Sequence, residues 1–153
     1  MPEISLEQKY EMAKGKIMDL WGQIGALSKA IQKKYGSEGL ELIANVMGDW
    51  GTATAKAVKP MIQGDNAKAV GSFMLSSLNA IGLECKVLEL TDDKVHFTVG
   101  SCPISADNRK LCDALMHLDR NMIEGLSPKV KFSYPKSIAY GDPYCEVIIE
   151  SSK

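Results

Sequence analysis

The sequence predicts an α+β fold: three N-terminal helices, then an antiparallel ββ-α-ββ sheet with helices packed on one face. Three observations carry this. Apolar residues recur in steps of three and four from Leu6 to Ile81. The period drops to two at Leu83. After Ser101 one further helical run interrupts the period-two segments.

The first helix is expected over about 5 to 35. Its seam is Leu6, Tyr10, Ala13, Ile17, Leu20, Ile24, Leu27 and Ile31, a heptad pattern flanked by Trp21. Ser5 and Gln8 have capping-box spacing, and Gly36 is a stop signal. Such a helix is about 45 Å long. That exceeds the breadth of a domain this size, so part of it is expected to lie on a second chain.

A second helix begins at Ser37, with Leu40, Ile43, Met47, Trp50, Thr54, Ala57 and Met61 on its seam. Gly48 and Gly51 allow another helix to come close, and Pro60 should end it. Gly64-Asp65-Asn66 is a turn and cap. A third helix, with Ala67, Val70, Met74, Leu78 and Ile81 on one face, stops at Gly82.

Leu83, Cys85 and Val87 then alternate with charged residues. Thr91-Asp92-Asp93 turns the chain into Val95, Phe97 and Val99, completing a hairpin. A loop from Ser101 to Asp107 leads into a fourth helix, which runs to about Glu124 and stops at Gly125. Val130, Phe132 and Tyr134 mark the third strand. Gly141-Asp142-Pro143 is the turn before Cys145, Val147 and Ile149 on the fourth.

With 153 residues, 45% hydrophobic and 24% charged, the chain is expected to be one domain over 1–153, a helical half at 1–82 and an α+β half at 83–153. A net charge of −1 argues against nucleic-acid binding through bulk charge. No apolar run approaches the ~20 residues of a membrane span, and MPEISLEQKY does not read as a secretory signal. A cytoplasmic protein is expected. The four cysteines then read as free thiols or ligands. Arg109 and Arg120 are the only arginines, little material for planar anion clamps.

The residues able to carry chemistry are few. Cys145 shares the inward parity of Val147 and Ile149. Cys102 lies in the loop before the fourth helix. Cys112 and Asp119, seven apart, share a face of that helix with Met116 between them. Cys102, Cys112, Cys145 and Asp119 are thus able to converge where loop, helix and strand meet. Three thiolates and a carboxylate suit Zn²⁺. Alternatively, Cys102 and Cys145 with Asp119 supply a nucleophile and a base. The plainer reading makes the cysteines small buried hydrophobes. His117 points about 140° away from Cys112, and His96 lies opposite Phe97. No GxSxG, Walker loop, GxGxxG or HExxH occurs. Trp50, Phe73, Met74, Phe97 and Met116 are expected to be buried around a cavity between the helical layer and the sheet, near Cys145.

Cys102-Pro103, Leu118-Asp119, Glu124-Gly125-Leu126-Ser127-Pro128 and Gly141-Asp142-Pro143-Tyr144-Cys145 together resemble the C-terminal region of the L-2-amino-thiazoline-4-carboxylic acid hydrolase-like proteins. They are similar, more distantly, to the 4-vinyl reductase small-molecule-binding domains. Met116 stands where the hydrolase-like pattern has a cysteine, and Cys112 lies one turn earlier. The resemblance implies a small-molecule-binding protein with a cysteine-based thiol or zinc site. It also implies, as an alternative, a hydrolase of a small cyclic C–N or C–S substrate. A third reading, from the first helix alone, is a homodimeric structural subunit without chemistry.

Overall fold

Helix α1 (Leu6–Val58) begins on Ser5 in the computed structural model, which describes residues 4–152. The Ser5 hydroxyl accepts the Gln8 amide hydrogen bond at 3.2 Å and the Gln8 side chain accepts that of Ser5 at 2.9 Å. The expected capping box is therefore formed. At Gly36 the backbone takes φ 60° and ψ −126°, a conformation that only a residue without Cβ adopts easily. The chain reverses there. Trp21 and Trp50 stack with ring centroids 5.5 Å apart, whereas a straight helix would hold them about 44 Å apart. The first two expected helices are thus the limbs of one hairpin, residues 6–35 and 37–58. Pro60 ends the second limb in a 3-10 turn, Lys59–Met61.

Helix α2 (Ala67–Ala80) is capped by Asn66, whose side chain accepts from the Ala69 amide at 2.9 Å. Strands β1 (Cys85–Leu90) and β2 (Lys94–Val99) form the expected hairpin. Asn108 caps α3 (Arg109–Leu115), and α4 (His117–Leu126) follows directly. Strands β3 (Val130–Lys136) and β4 (Cys145–Ser151) complete an antiparallel sheet of order β1-β2-β4-β3.

One face of the sheet, with Val95, Phe97, Val99, Val130, Phe132, Val147 and Ile149, packs beneath α2 and α4 into the main core. A second cluster joins α1 to α3 through Ile43, Met47, Leu111 and Leu115. The second limb of α1 lies hard against α4: a Cβ on Gly51 would stand 2.2 Å from the Leu118 carbonyl oxygen. The Asn121 side chain donates to the Gly48 carbonyl at 3.1 Å across the same crossing.

Three sequence expectations need correction. The fourth helix is two, because the chain breaks step at Met116. The second of these passes through Gly125 to Leu126. In β1, inward parity is lost after Cys85: the register slips between Val87 and Glu89, and Val87, Leu88 and Leu90 are exposed on this edge strand. Trp50 is 42% exposed, since it sits on the outer side of the helix hairpin. Among the described residues no helix is long and apolar enough to cross a membrane.

Candidate functional site

Between α2, α4 and the sheet lies a cavity of about 110 Å³. Met74 and Leu78 of α2 close one side, Val99 and Val147 the floor, and the 101–106 loop the rim. The loop is pinned from behind, because Gly25 of α1 lies so close that a Cβ there would sit 1.9 Å from the Ile104 carbonyl oxygen. The close approach of this glycine positions the rim.

Cys102, Cys112, Cys145, Asp119, Met74 and Met116 all line this cavity. Three other expected pocket residues do not. Trp50 belongs to the outer groove of the helix hairpin. Phe97 is fully buried in the main core below the cavity, and Phe73 packs at the edge of that core. Both aromatic rings fill the sheet–helix interface instead of facing open space.

Ser137, buried at the start of a 3-10 turn (Ile138–Tyr140), joins two of the cysteines. Its hydroxyl lies 3.3 Å from the Cys112 sulfur and 3.9 Å from the Cys145 sulfur. The Ile138 amide also donates to the Cys145 sulfur at 3.5 Å. Burial pushes the Cys112 thiol up to about 11, with the Ser137 hydrogen bond only partly opposing it. Cys112 is therefore a protonated thiol at neutral pH and a poor nucleophile. Among the described residues no three His, Cys, Asp or Glu side chains are disposed to hold one metal ion. The donor set expected for Zn²⁺ shares a cavity without forming a ligand cage among the described residues.

Asp119 differs from its neighbours. It enters none of the side-chain hydrogen bonds or ion pairs formed among the described residues, and it lies half-buried on the cavity wall. Loss of water raises its carboxyl to about 6. A carboxyl poised there changes between acceptor and donor near neutral pH, as a general base must. Lys136 stands at the rim, held by the Tyr144 hydroxyl at 3.1 Å and Glu146 at 3.3 Å. The expected bystander histidine is one: His96 pairs with Glu146 at 2.6 Å on the outer face of the sheet.

Ser137, Tyr134 and Lys136 were not legible as site residues. Ser137 carries no more than an ordinary cap signal, and Tyr134 reads as one more inward strand residue.

The family model described as L-2-amino-thiazoline-4-carboxylic acid hydrolase matches residues 21–149. No curated protein matches the chain. The phenol-responsive sensory domain of the transcription activator PoxR, solved with phenol, superposes with a TM-score of 0.62 at 15% identity, covering 86% of this chain and 74% of that one. A trafficking protein particle complex subunit 3 from Naegleria fowleri, covalently bound to palmitic acid, superposes with a TM-score of 0.61 at 11% identity, covering 94% and 97% respectively. At these identities the likeness to the two structures is one of fold.

Proposed function

The chain belongs to the L-2-amino-thiazoline-4-carboxylic acid hydrolase family, and from that premise we propose that it binds a single-ring small molecule, apolar in body, that presents an N–H or O–H donor to Asp119. The observation that carries this is a carboxyl without a partner, walled by apolar side chains. A donor from the ligand would repay the lost hydration of that group. Size supports the same class. A dry cavity of ~150 Å³ accepts benzene, so about 110 Å³ suits one small ring and is too short for a long acyl chain such as the palmitate of the second structural neighbour. Phenol, present in the first neighbour, and 2-amino-thiazoline-4-carboxylate both offer the required donor. In the latter the ring and exocyclic nitrogens form a fork that matches a carboxylate.

Calorimetric titration with phenol and with 2-amino-thiazoline-4-carboxylate tests this reading. Saturable binding of either is expected, abolished by filling the cavity with Met74→Trp. Absence of binding by both, or binding that survives Met74→Trp, would count against it.

Hydrolysis is the second reading, favoured by the Asp119 carboxyl near 6 beside Cys102 and Cys145. Asp119 would take a proton from water as the water oxygen adds to C2 of the ring protonated at its nitrogen, and would return that proton to the sulfur as the C2–S bond breaks; the collapsing carbinol releases its own proton to solvent, leaving a urea and a free thiol. Thiol release, followed with a chromogenic disulfide, separates turnover from binding alone.

We also propose a homodimer through the first helix. Leu6, Tyr10, Leu20 and Leu27 are 50–84% exposed, and Leu42, Val46 and Trp50 continue the apolar surface across the hairpin. This is more exposed apolar surface than a monomer usually leaves uncovered. Light scattering should give twice the chain mass of 16.7 kDa. The Leu42→Lys, Val46→Lys double variant, altered only at exposed positions, should scatter as a folded monomer. A wild-type mass equal to one chain would rule the dimer out.

A further inference from the structure

On the far side of Tyr134 from the cavity is a groove of about 430 Å³, and both arginines of the chain open onto it. Arg109 comes from the start of α3 and Arg120 from α4, so the two are brought together by the fold and not by sequence spacing. Each guanidinium lies over a tyrosine ring: Arg109 at 4.5 Å from the Tyr140 centroid, Arg120 at 5.9 Å from that of Tyr134. The tyrosine hydroxyls both donate to the same oxygen of Asp113, Tyr134 at 3.0 Å. Asp113 is thereby occupied. Its contact with Arg109 is a loose 3.9 Å, and Arg120 has no carboxylate partner among the described residues. His117 lines the same groove between the two arginines in sequence.

The arrangement sets each guanidinium over a tyrosine face, Arg109 closely and Arg120 at the outer limit of such a contact, and closes neither in a tight carboxylate pair. Two positive charges thus face a single carboxylate, one oxygen of which is committed to the tyrosines. Guanidinium is the group that matches a carboxylate or phosphate through two parallel hydrogen bonds. The tyrosines remain donors to Asp113 throughout the neutral range, since burial and the Asp113 contact push Tyr134 up to about 12 and Tyr140 higher still.

We propose that this groove is a second ligand site, for the oxyanion of a small molecule, carboxylate or phosphate, clamped between Arg109 and Arg120. It is separate from the Asp119 cavity, with Tyr134 as the shared wall, and stands or falls independently of the function proposed for that cavity.

The test is a nuclear magnetic resonance titration of the whole chain with benzoate in one arm and inorganic phosphate in the other. Saturable shifts are expected at the Arg109 and Arg120 side-chain N–H signals and at the amides of residues 113–120. Arg109→Gln and Arg120→Gln should each weaken binding by roughly ten- to a hundredfold, the worth of one charged hydrogen bond. Arg120→Lys, which keeps the charge and loses the fork, should fall between wild type and Arg120→Gln. Lys86→Gln, an exposed lysine on β1 at the opposite edge of the sheet, should leave binding unchanged. Saturation by benzoate alone identifies a carboxylate site and by phosphate alone a phosphate site. The proposal is overturned if neither anion saturates, or if Lys86→Gln weakens binding as much as the arginine variants do. Phenol binding that persists in Arg120→Gln would show that the two sites fail separately.

Discussion

Replacing Gly51 by Ala should destabilise the protein by about 2–3 kcal/mol, although the same change in an open helix stabilises by about 1 kcal/mol. The new Cβ would stand 2.2 Å from the Leu118 carbonyl oxygen and 3.1 Å from the Asn121 Cβ. Backbone cannot swing aside as a side-chain tip can, so the second limb of α1 must lift from α4. That lift also strains the Asn121–Gly48 hydrogen bond and opens the contact between Ala55 and Gly125. Gly25→Ala should behave similarly, with the Ile104 carbonyl only 1.9 Å from the added methyl. There the displaced element is the cavity rim, so ligand binding should weaken along with stability. Gly22→Ala is the internal control: nothing lies within 4 Å of its Cβ, and it should gain the helix-propensity increment. Urea unfolding of the three variants decides. Gly51→Ala as stable as Gly22→Ala would refute the close crossing.

Much of this architecture was legible because it rests on local rules. Ser5 with Gln8, Asn66 and Pro60 each act within four residues of themselves, and each does what its chemistry predicts. Strand parity in β2, β3 and β4 was readable because both the turn and one buried face constrain the register. The edge strand escaped this logic. With no neighbour beyond β1, a bulge at Leu88 costs little, and it turns Val87 out to solvent. Gly36 announced a stop, yet the direction in which the chain continued depended on its φ and ψ, which no periodicity encodes.

The site was readable in proportion to how many of its residues share an element. Parity placed Cys145 inward, and helical spacing put Cys112 and Asp119 on a common side. That spacing argument assumed one continuous helix. The break at Met116 is mild, with φ −69° and ψ −5°, so both residues still line the cavity. Ser137, Tyr134 and the two arginines lie on separate elements. Their meeting is a property of the sheet order and of α3 and α4 crossing β3, and composition alone suggested the opposite for the arginines. Trp50 failed for a related reason: a seam residue faces inward only if a partner covers it, and the hairpin covers this one only with Trp21.

Asp119→Asn should make the protein more stable at pH 7.5 by about 2–3 kcal/mol while removing the recognition of a donor-bearing ligand. The carboxyl is pushed up to about 6 in the folded chain against an ordinary 3.8, because the apolar wall takes away much of its water and supplies no partner. The folded state therefore binds the proton more tightly than the unfolded state does. This contribution to stability is fully present below about pH 4, falls away as pH rises through 6, and is flat above it. Near neutral pH the wild type carries the cost of a half-buried, unpaired carboxylate. Asn cannot ionise, so the variant should lose the decline between pH 4 and 6. A ligand donor should also bind the wild type more tightly above pH 6 than below pH 5, where the carboxyl is protonated, and the variant should show no such step. Urea midpoints across pH 4 to 8 and phenol titration at both ends of that range measure the two effects on the same samples. An Asn variant that is less stable than wild type at pH 7.5, or that retains the wild-type pH slope, would mean that Asp119 is already satisfied in solution and is not the group awaiting a ligand.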